Sequence, residues 1–206
     1  MSIPQSHIYL ASQSPRRREL LKQIGVNFEV LLMRTDRLRG IDVDETPLTD
    51  ELPETYARRV CQAKAEMGYN VVQLRGLPLA PVLAADTVVT LDGQIFGKPN
   101  DAAHATAMLR QLSGREHQVL SAIAVAQGNR LEVAVSVSTV RFTRLDDERI
   151  KRYLYTNEYA DKAGGYGIQG YAAAFIEYLS GSYSGVMGLP LFETARLLQR
   201  FGCPTP

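Results

Sequence analysis

The sequence predicts a mixed α/β (α+β) fold: one long twisted central sheet of mixed strand direction, flanked by helices. Three observations predict it. Residues 82–91 read VLAADTVVTL, an almost unbroken apolar run of strand length, as expected of a strand buried on both faces. Residues 116–126 and 131–142 are two long strand-like runs joined by a turn at Gly128 and Asn129. Helical periodicities lie between the strand-like runs instead of in a separate block. A chain of 206 residues suits one large domain or two small lobes sharing a cleft. No linker composition divides it and no internal repeat appears, so one domain over residues 1–206 is expected.

Taken in order, residues 8–10 end a first strand and residues 11–14 turn the chain. Ser14 is placed to cap a helix with Pro15 at its first position, where the missing N–H costs nothing. Leu20, Leu21 and Ile24 form its apolar stripe and Gly25 ends it. Residues 27–33 (NFEVLLM) read as a second strand, and residues 34–50 as a charged loop too polar for the core. Pro53 opens a helix with Tyr56, Val60, Ala63 and Met67 on one face. After the strand at 82–91, Asp92-Gly93 turns into a short strand at 94–96. Asn100 or Asp101 caps a helix that carries Ala107, Met108 and Leu112 and stops at Gly114. Residues 146–155 read as helix, 161–171 as a glycine-rich loop, 173–179 as a strand, 180–183 as a turn and 191–201 as a last helix.

Composition narrows the function classes. A formal net charge of +1 gives no bulk attraction to nucleic acid or to a membrane surface, so anion binding has to come from local placement. Cys61 and Cys203 are too few for a disulfide framework and match no zinc spacing. The N-terminal residues lack a basic, apolar leader pattern, and no apolar stretch reaches the ~18 residues of a spanning helix. A cytoplasmic protein is expected.

Three arginines, Arg16, Arg17 and Arg18, crowd the first turn of the first helix, where the helix dipole disfavours cations. Free amides, Ser12, Ser14 and these guanidinium groups make a phosphate cradle; a solvated basic turn is equally compatible with this stretch alone. Asp86 interrupts an apolar strand, and a buried lone carboxylate costs several kcal/mol unless paired, protonated or metal-bound. Thr87 beside it and Lys98 in GKP offer polar company. Lys64, between two alanines, reads as an ordinary exposed helical lysine, although small neighbours permit it to reach across a crowded surface. Asp42, Asp44 and Glu45 form either a solvated acidic loop or, with Asp86, oxygen ligands for a hard divalent cation. Four glycines surround Gln169 in DKAGGYGIQG, and an amide there can pair with the donor and acceptors of a uracil or thymine edge. His7, His104 and His117 show no ligand spacing.

The blocks LASQSPRRRELL, VDET, QAKA, AADTVV, FGKP, MLRQLSGREHQV, DKAGGYGIQG and GSYSGVMGLPL closely resemble, in order and spacing, the Maf family of nucleotide pyrophosphatases. The resemblance spans essentially the whole chain. It implies a fold like that of the inosine triphosphatases, two lobes around a cleft. It also implies a divalent-cation-dependent enzyme, using Mg²⁺ or Mn²⁺, that cleaves nucleoside triphosphates to monophosphate and pyrophosphate. Carried over residue by residue, Asp86 is the proton acceptor and, with Glu45, a metal ligand. Ser12, Arg17, Lys64 and Lys98 bind phosphate. Arg16, Thr87 and Gln169 set substrate specificity, and that combination is the pattern of the dTTP/UTP branch. The sequence departs from the family pattern in a longer loop over residues 34–44, and at Gln13, Ser121 and Gly185. The expected partner is a nucleoside triphosphate, with no nucleic acid and no membrane; the oligomeric state stays open, a homodimer included. House-cleaning of modified nucleotides, an orthophosphate-releasing phosphatase and a non-catalytic nucleotide sensor or cell-division regulator are the competing functions.

Overall fold

The computed structural model describes residues 7–33 and 43–205. Asp42 and most of the charged loop therefore lie outside the described residues. The elements are β1 (His7–Leu10), α1 (Pro15–Gln23), β2 (Asn27–Val30), α2 (Pro53–Leu74), β3 (Val82–Leu91), β4 (Gln94–Phe96), α3 (Ala102–Leu112), β5 (Glu116–Gln127), β6 (Arg130–Phe142), α4 (Asp147–Leu154), β7 (Ile176–Ser180), α5 (Tyr183–Met187) and α6 (Leu191–Arg200). The seven strands form one mixed sheet in the order β2-β1-β3-β5-β6-β7, with β4 paired to β3 off that path. β1 runs parallel to β2 and β3, and the remaining pairings are antiparallel.

β3 is the axis of the molecule. β5 covers one of its edges from Val82 to Thr90. The other edge is shared: β1 pairs only with Val82 and Leu83, and β4 only with Val89, Thr90 and Leu91. Among the described residues, 84–88 have no strand on that edge. The sheet forks there, and Asp86 lies in the fork. Alternation of side chains then sends Asp86 to the face that carries α2 and Thr87 to the face that carries α1 and α6. Apolar packing follows the same division. Val82, Ala84 and Val88 join Val60, Cys61 and Ala65 of α2. On the opposite face Leu83 and Ala85 join Leu20 and Leu21 of α1 and Leu197 and Leu198 of α6. A third cluster gathers Val89, Leu109, Phe142, Tyr166 and Phe175 at the far end of β3.

Several sequence expectations shift in detail. β2 stops at Val30 because β1, its one partner among the described residues, ends at Leu10. The buried stripe of α2 runs through Tyr56, Ala57, Val60, Cys61, Ala65, Gly68 and Val72, whereas Ala63 and Met67 are half-buried. Gly68 explains the rotation: a Cβ there would lie 2.8 Å from Val82, so the glycine lets the helix settle directly on β3. Ile24 is half-buried rather than core. Asp101, not Asn100, caps α3, its carboxylate accepting from His104 N–H at 2.7 Å. Residues 171–175 form a 3-10 turn, and the strand begins at Ile176, where the Phe142 end of β6 becomes available to pair. The last residue of SGSY, Tyr183, already opens α5, capped by Ser182 through Gly185 N–H at 2.9 Å and closed by Gly188 in a left-handed conformation.

Candidate active site

Lys64 is the hub of the site. One turn before the close contact at Gly68, its ammonium lies over β3 and bonds Asp86 Oδ1 at 2.7 Å and Glu45 Oε1 at 3.0 Å. The Lys64 and Asp86 side chains are 12% and 9% exposed, so the pair is desolvated, and Glu45, 48% exposed, opens it to solvent. Tyr56 anchors the Glu45 segment by donating to its backbone carbonyl at 2.8 Å. Burial, and then the nearby Asp86 carboxylate, raise the Tyr56 hydroxyl above its ordinary value, which keeps it a neutral donor. The same two causes push the Cys61 thiol up to about 12, so Cys61 is an inert core residue.

The three arginines of α1 part company. Arg18 turns back to donate to the Gln13 carbonyl at 2.7 Å. Arg17 turns inward: Nε donates to Gly188 O at 2.9 Å, Nη1 to Ser12 Oγ at 3.2 Å and Nη2 to Thr87 Oγ1 at 3.4 Å. Burial pulls its guanidinium below the usual value and the Asp86 carboxylate pulls it back up. Arg16, half-buried, is lowered by burial and raised by Asp161 and Glu158 of the segment that leads into the glycine-rich loop. Lys162 answers from that side, lowered first by burial and then by Arg16. The start of α1 and the glycine-rich loop therefore face each other electrostatically. Ser14 makes no side-chain cap; Ser12 Oγ instead accepts Ser14 N–H at 3.2 Å.

The glycine-rich loop is tied down at three points. Gly164 N–H donates to Gly97 O at 3.0 Å, which sets exposed Lys98 alongside the loop. Tyr166 OH meets His117 Nε2 at 2.8 Å beneath it. Glu158 accepts Tyr171 N–H at 2.8 Å and fills the space a side chain at Gly170 would need: a Cβ there would lie 2.2 Å from Glu158 Oε2. Gln169 is exposed, with its Nε2 near Gly167 and the Lys162 stem.

Asp86, Lys64 and Glu45 thus meet in one cluster, and Ser12, Arg17 and Thr87 in a second, adjoining one. Arg16 faces the glycine-rich loop, while Lys98 and Gln169 stand on that loop's side without a hydrogen bond to either cluster among the described residues. Residues 158, 162 and 121 escaped sequence reasoning as site members. Ser121 carried the same signal as Asp86, a polar residue inside an apolar strand; Glu158 and Lys162 carried none.

Among the described residues no group of three or more His, Cys, Asp or Glu is placed to hold a metal ion. The two carboxylates that converge on Lys64 use one oxygen each in that contact. Two carboxylates completed by phosphate oxygens are a donor set that Mg²⁺ accepts, so the residues present fit a cation that arrives with a phosphate. No helix among the described residues is long and apolar enough to cross a membrane.

A forked mixed sheet, a buried ammonium between two carboxylates and a basic helix start opposite a glycine-rich loop define an α/β protein built to hold a polyanion. The profile of Maf-like proteins matches residues 7–201, and the chain belongs to that family. It is 57% identical over 201 residues to the dTTP/UTP pyrophosphatase of Aromatoleum aromaticum, covering 97% of this chain and 98% of that one. It is 56% identical over 199 residues to the dTTP/UTP pyrophosphatase of Nitrosospira multiformis, covering 97% and 96%. The dTTP/UTP pyrophosphatase of Chromobacterium violaceum is 49% identical over 206 residues, the full length of both chains. Among solved structures, the Staphylococcus aureus Ham1 protein overlaps 66% of this chain and 72% of its own at 17% identity and a TM-score of 0.46.

Proposed function

We propose that this protein is a nucleoside triphosphate pyrophosphatase that hydrolyses dTTP and UTP to the monophosphate and pyrophosphate. The observation that carries the reading is the Glu45–Lys64–Asp86 cluster in the fork of the sheet, next to the Arg17 guanidinium. Family membership and the activity for which the relatives are named support it. In this reading residues 1–206 act as one domain whose cleft lies between α1 and the glycine-rich loop, and the substrate pool is cytoplasmic.

The triphosphate lies along that cleft. Ser12, Arg16, Arg17 and Lys98 neutralise its phosphates and bear the growing charge of the leaving group. Lys64 holds the two carboxylates at their spacing and offsets their charge. Asp86 takes a proton from the water that attacks the α-phosphorus. As the new P–O bond forms, the bond from the α-phosphorus to the bridging oxygen breaks. Its electron pair departs with pyrophosphate. Glu45 and Asp86 would hold a divalent cation, Mg²⁺ or Mn²⁺, which when bound would supply further charge neutralisation and lower the cost of activating water. Gln169 reads the pyrimidine end, its amide pairing with N3–H and a ring carbonyl.

The test is product analysis of the purified protein with UTP, dTTP, CTP and GTP in Mg²⁺ or Mn²⁺. Pyrophosphate with UMP or dTMP, formed faster than from CTP or GTP, is the expected result. Orthophosphate with UDP, or tight UTP binding with no product, overturns the proposal in favour of a phosphatase or a sensor.

A further inference from the structure

Thr87 and Ser121 are direct register partners across β3 and β5, and both side chains point to the α1 face of the sheet. Ser121 is 1% exposed, buried in an otherwise apolar strand. Its hydroxyl donates to the Gly185 carbonyl at 2.6 Å. A serine has one proton, so the 3.0 Å contact between Thr87 Oγ1 and Ser121 Oγ has Thr87 as its donor. The Thr87 oxygen is then free to accept, and it accepts from Arg17 Nη2 at 3.4 Å. The direction of every bond is fixed by the carbonyl at the end: Arg17 to Thr87, Thr87 to Ser121, Ser121 to Gly185. The Gly188 carbonyl, at the C-terminal cap of α5, receives Arg17 Nε at 2.9 Å. The middle of one short helix and its C-terminal cap therefore aim one guanidinium. Three of its five N–H groups are used, and one on each terminal nitrogen remains, a fork that suits a phosphate.

We infer that Ser121 and Thr87 are positioning residues for the phosphate end of the substrate, a hydroxyl relay that locks Arg17, and that Thr87 does not touch the base. The inference rests on the reading of the site as a triphosphate site. It gives Ser121 a role and moves Thr87 from base selection to phosphate alignment. The Thr87 hydroxyl spends its one proton on Ser121 and one of its two lone pairs on Arg17, so it has no proton left to donate to a ring carbonyl, and the relay sets its orientation.

The experiment uses the full chain and two probes, inorganic tripolyphosphate by titration calorimetry and UTP or CTP by turnover. Ser121→Ala and Thr87→Val should each weaken tripolyphosphate binding by about 3–10-fold, the net worth of one ordinary hydrogen bond in the relay. KM for UTP should rise with it, kcat should change less, and the UTP-to-CTP ratio of kcat/KM should hold. Thr87→Ser, which keeps the hydroxyl, should restore binding. In an Arg17→Lys background, Ser121→Ala should add nothing, whereas a merely structural residue would act additively. If Ser121→Ala fails to fold, the Thr87→Val and Thr87→Ser pair decides. Tripolyphosphate affinity within about two-fold of wild type in both hydroxyl deletions overturns the relay. A changed UTP-to-CTP ratio with intact tripolyphosphate affinity overturns it too, by putting Thr87 on the base. Absence of UTP turnover in the wild type sinks the proposed reaction, while the calorimetry still decides the relay.

Discussion

Lys64 has two carboxylates to serve, and the consequences separate along that line. Asp86→Asn removes the proposed proton acceptor but leaves Lys64 paired with Glu45. The variant should fold normally, bind nucleotide and lose about 10²–10⁴-fold in turnover, the usual worth of a general base; steady-state kinetics beside a urea titration reads both. Lys64→Met does the reverse. It strands a buried carboxylate, so stability should fall by about 3–5 kcal/mol, read as a lower urea midpoint. His117 supplies the pH dependence. Burial holds its imidazole down to about 4, and Nδ1 meets the Arg115 backbone without a well-formed hydrogen bond. The unfolded chain, with a histidine near 6.5, binds more protons between those values, so stability is full above pH 6.5 and is lost as pH falls toward 4. The shift amounts to about 3 kcal/mol, and denaturant midpoints across that range should fall in the wild type and flatten in His117→Gln. At this scale the sequence was half legible. Asp86 announced itself by interrupting an oily strand. Lys64 did not, because nothing local distinguishes it from a solvated helical lysine; only the close approach at Gly68 carries it over Asp86.

Elements repeat the pattern. The nearly continuous apolar run of β3 named a strand covered on both faces, and it is one. The Asp92-Gly93 hairpin was equally legible, since both residues take the positive φ that such a two-residue turn demands. Residues 171–175 were not, because AAAF is apolar enough for a strand and only the reach of β6 decides where pairing starts. The glycine-rich loop was recognised from composition, yet its glycines differ in purpose. Gly164 sits at φ 67 with Val89 against it, a backbone requirement. Gly170 has ordinary φ, and its requirement is room for Glu158. Gly170→Ala should displace that carboxylate from the Tyr171 amide and cost about 1 kcal/mol, the net worth of that exposed hydrogen bond. Adding Glu158→Ala should cost less than the sum of the two single changes, because the collision is then already relieved. Thermal or urea denaturation of the four proteins measures the coupling, and strict additivity would remove Glu158 as the reason for this glycine.

Across the whole molecule, the fork is what the sequence could not disclose. Each strand's pattern tells which face is buried; it does not tell that β1 and β4 share one edge of β3 and leave residues 84–88 between them. Three apolar clusters meet around that gap, and the polar residues of the site fill it. A triphosphate seated there would bridge α1, which belongs to one cluster, and the glycine-rich loop, which belongs to another. Binding should then stabilise the entire chain instead of one lobe. With a non-hydrolysable UTP analogue and Mg²⁺ at about 100 times Kd, linkage supplies about 2.7 kcal/mol. For a chain of this size each kcal/mol moves Tm by about 2–4 °C, so a rise of roughly 5–11 °C is expected in a single transition. Hydrogen exchange should slow in residues 11–17 and in residues 161–170 together, because each wall is ordered by the same ligand. Protection confined to residues 11–17, with Tm unmoved, would mean that the anion rests on the helix alone and that the loop forms no wall of the site.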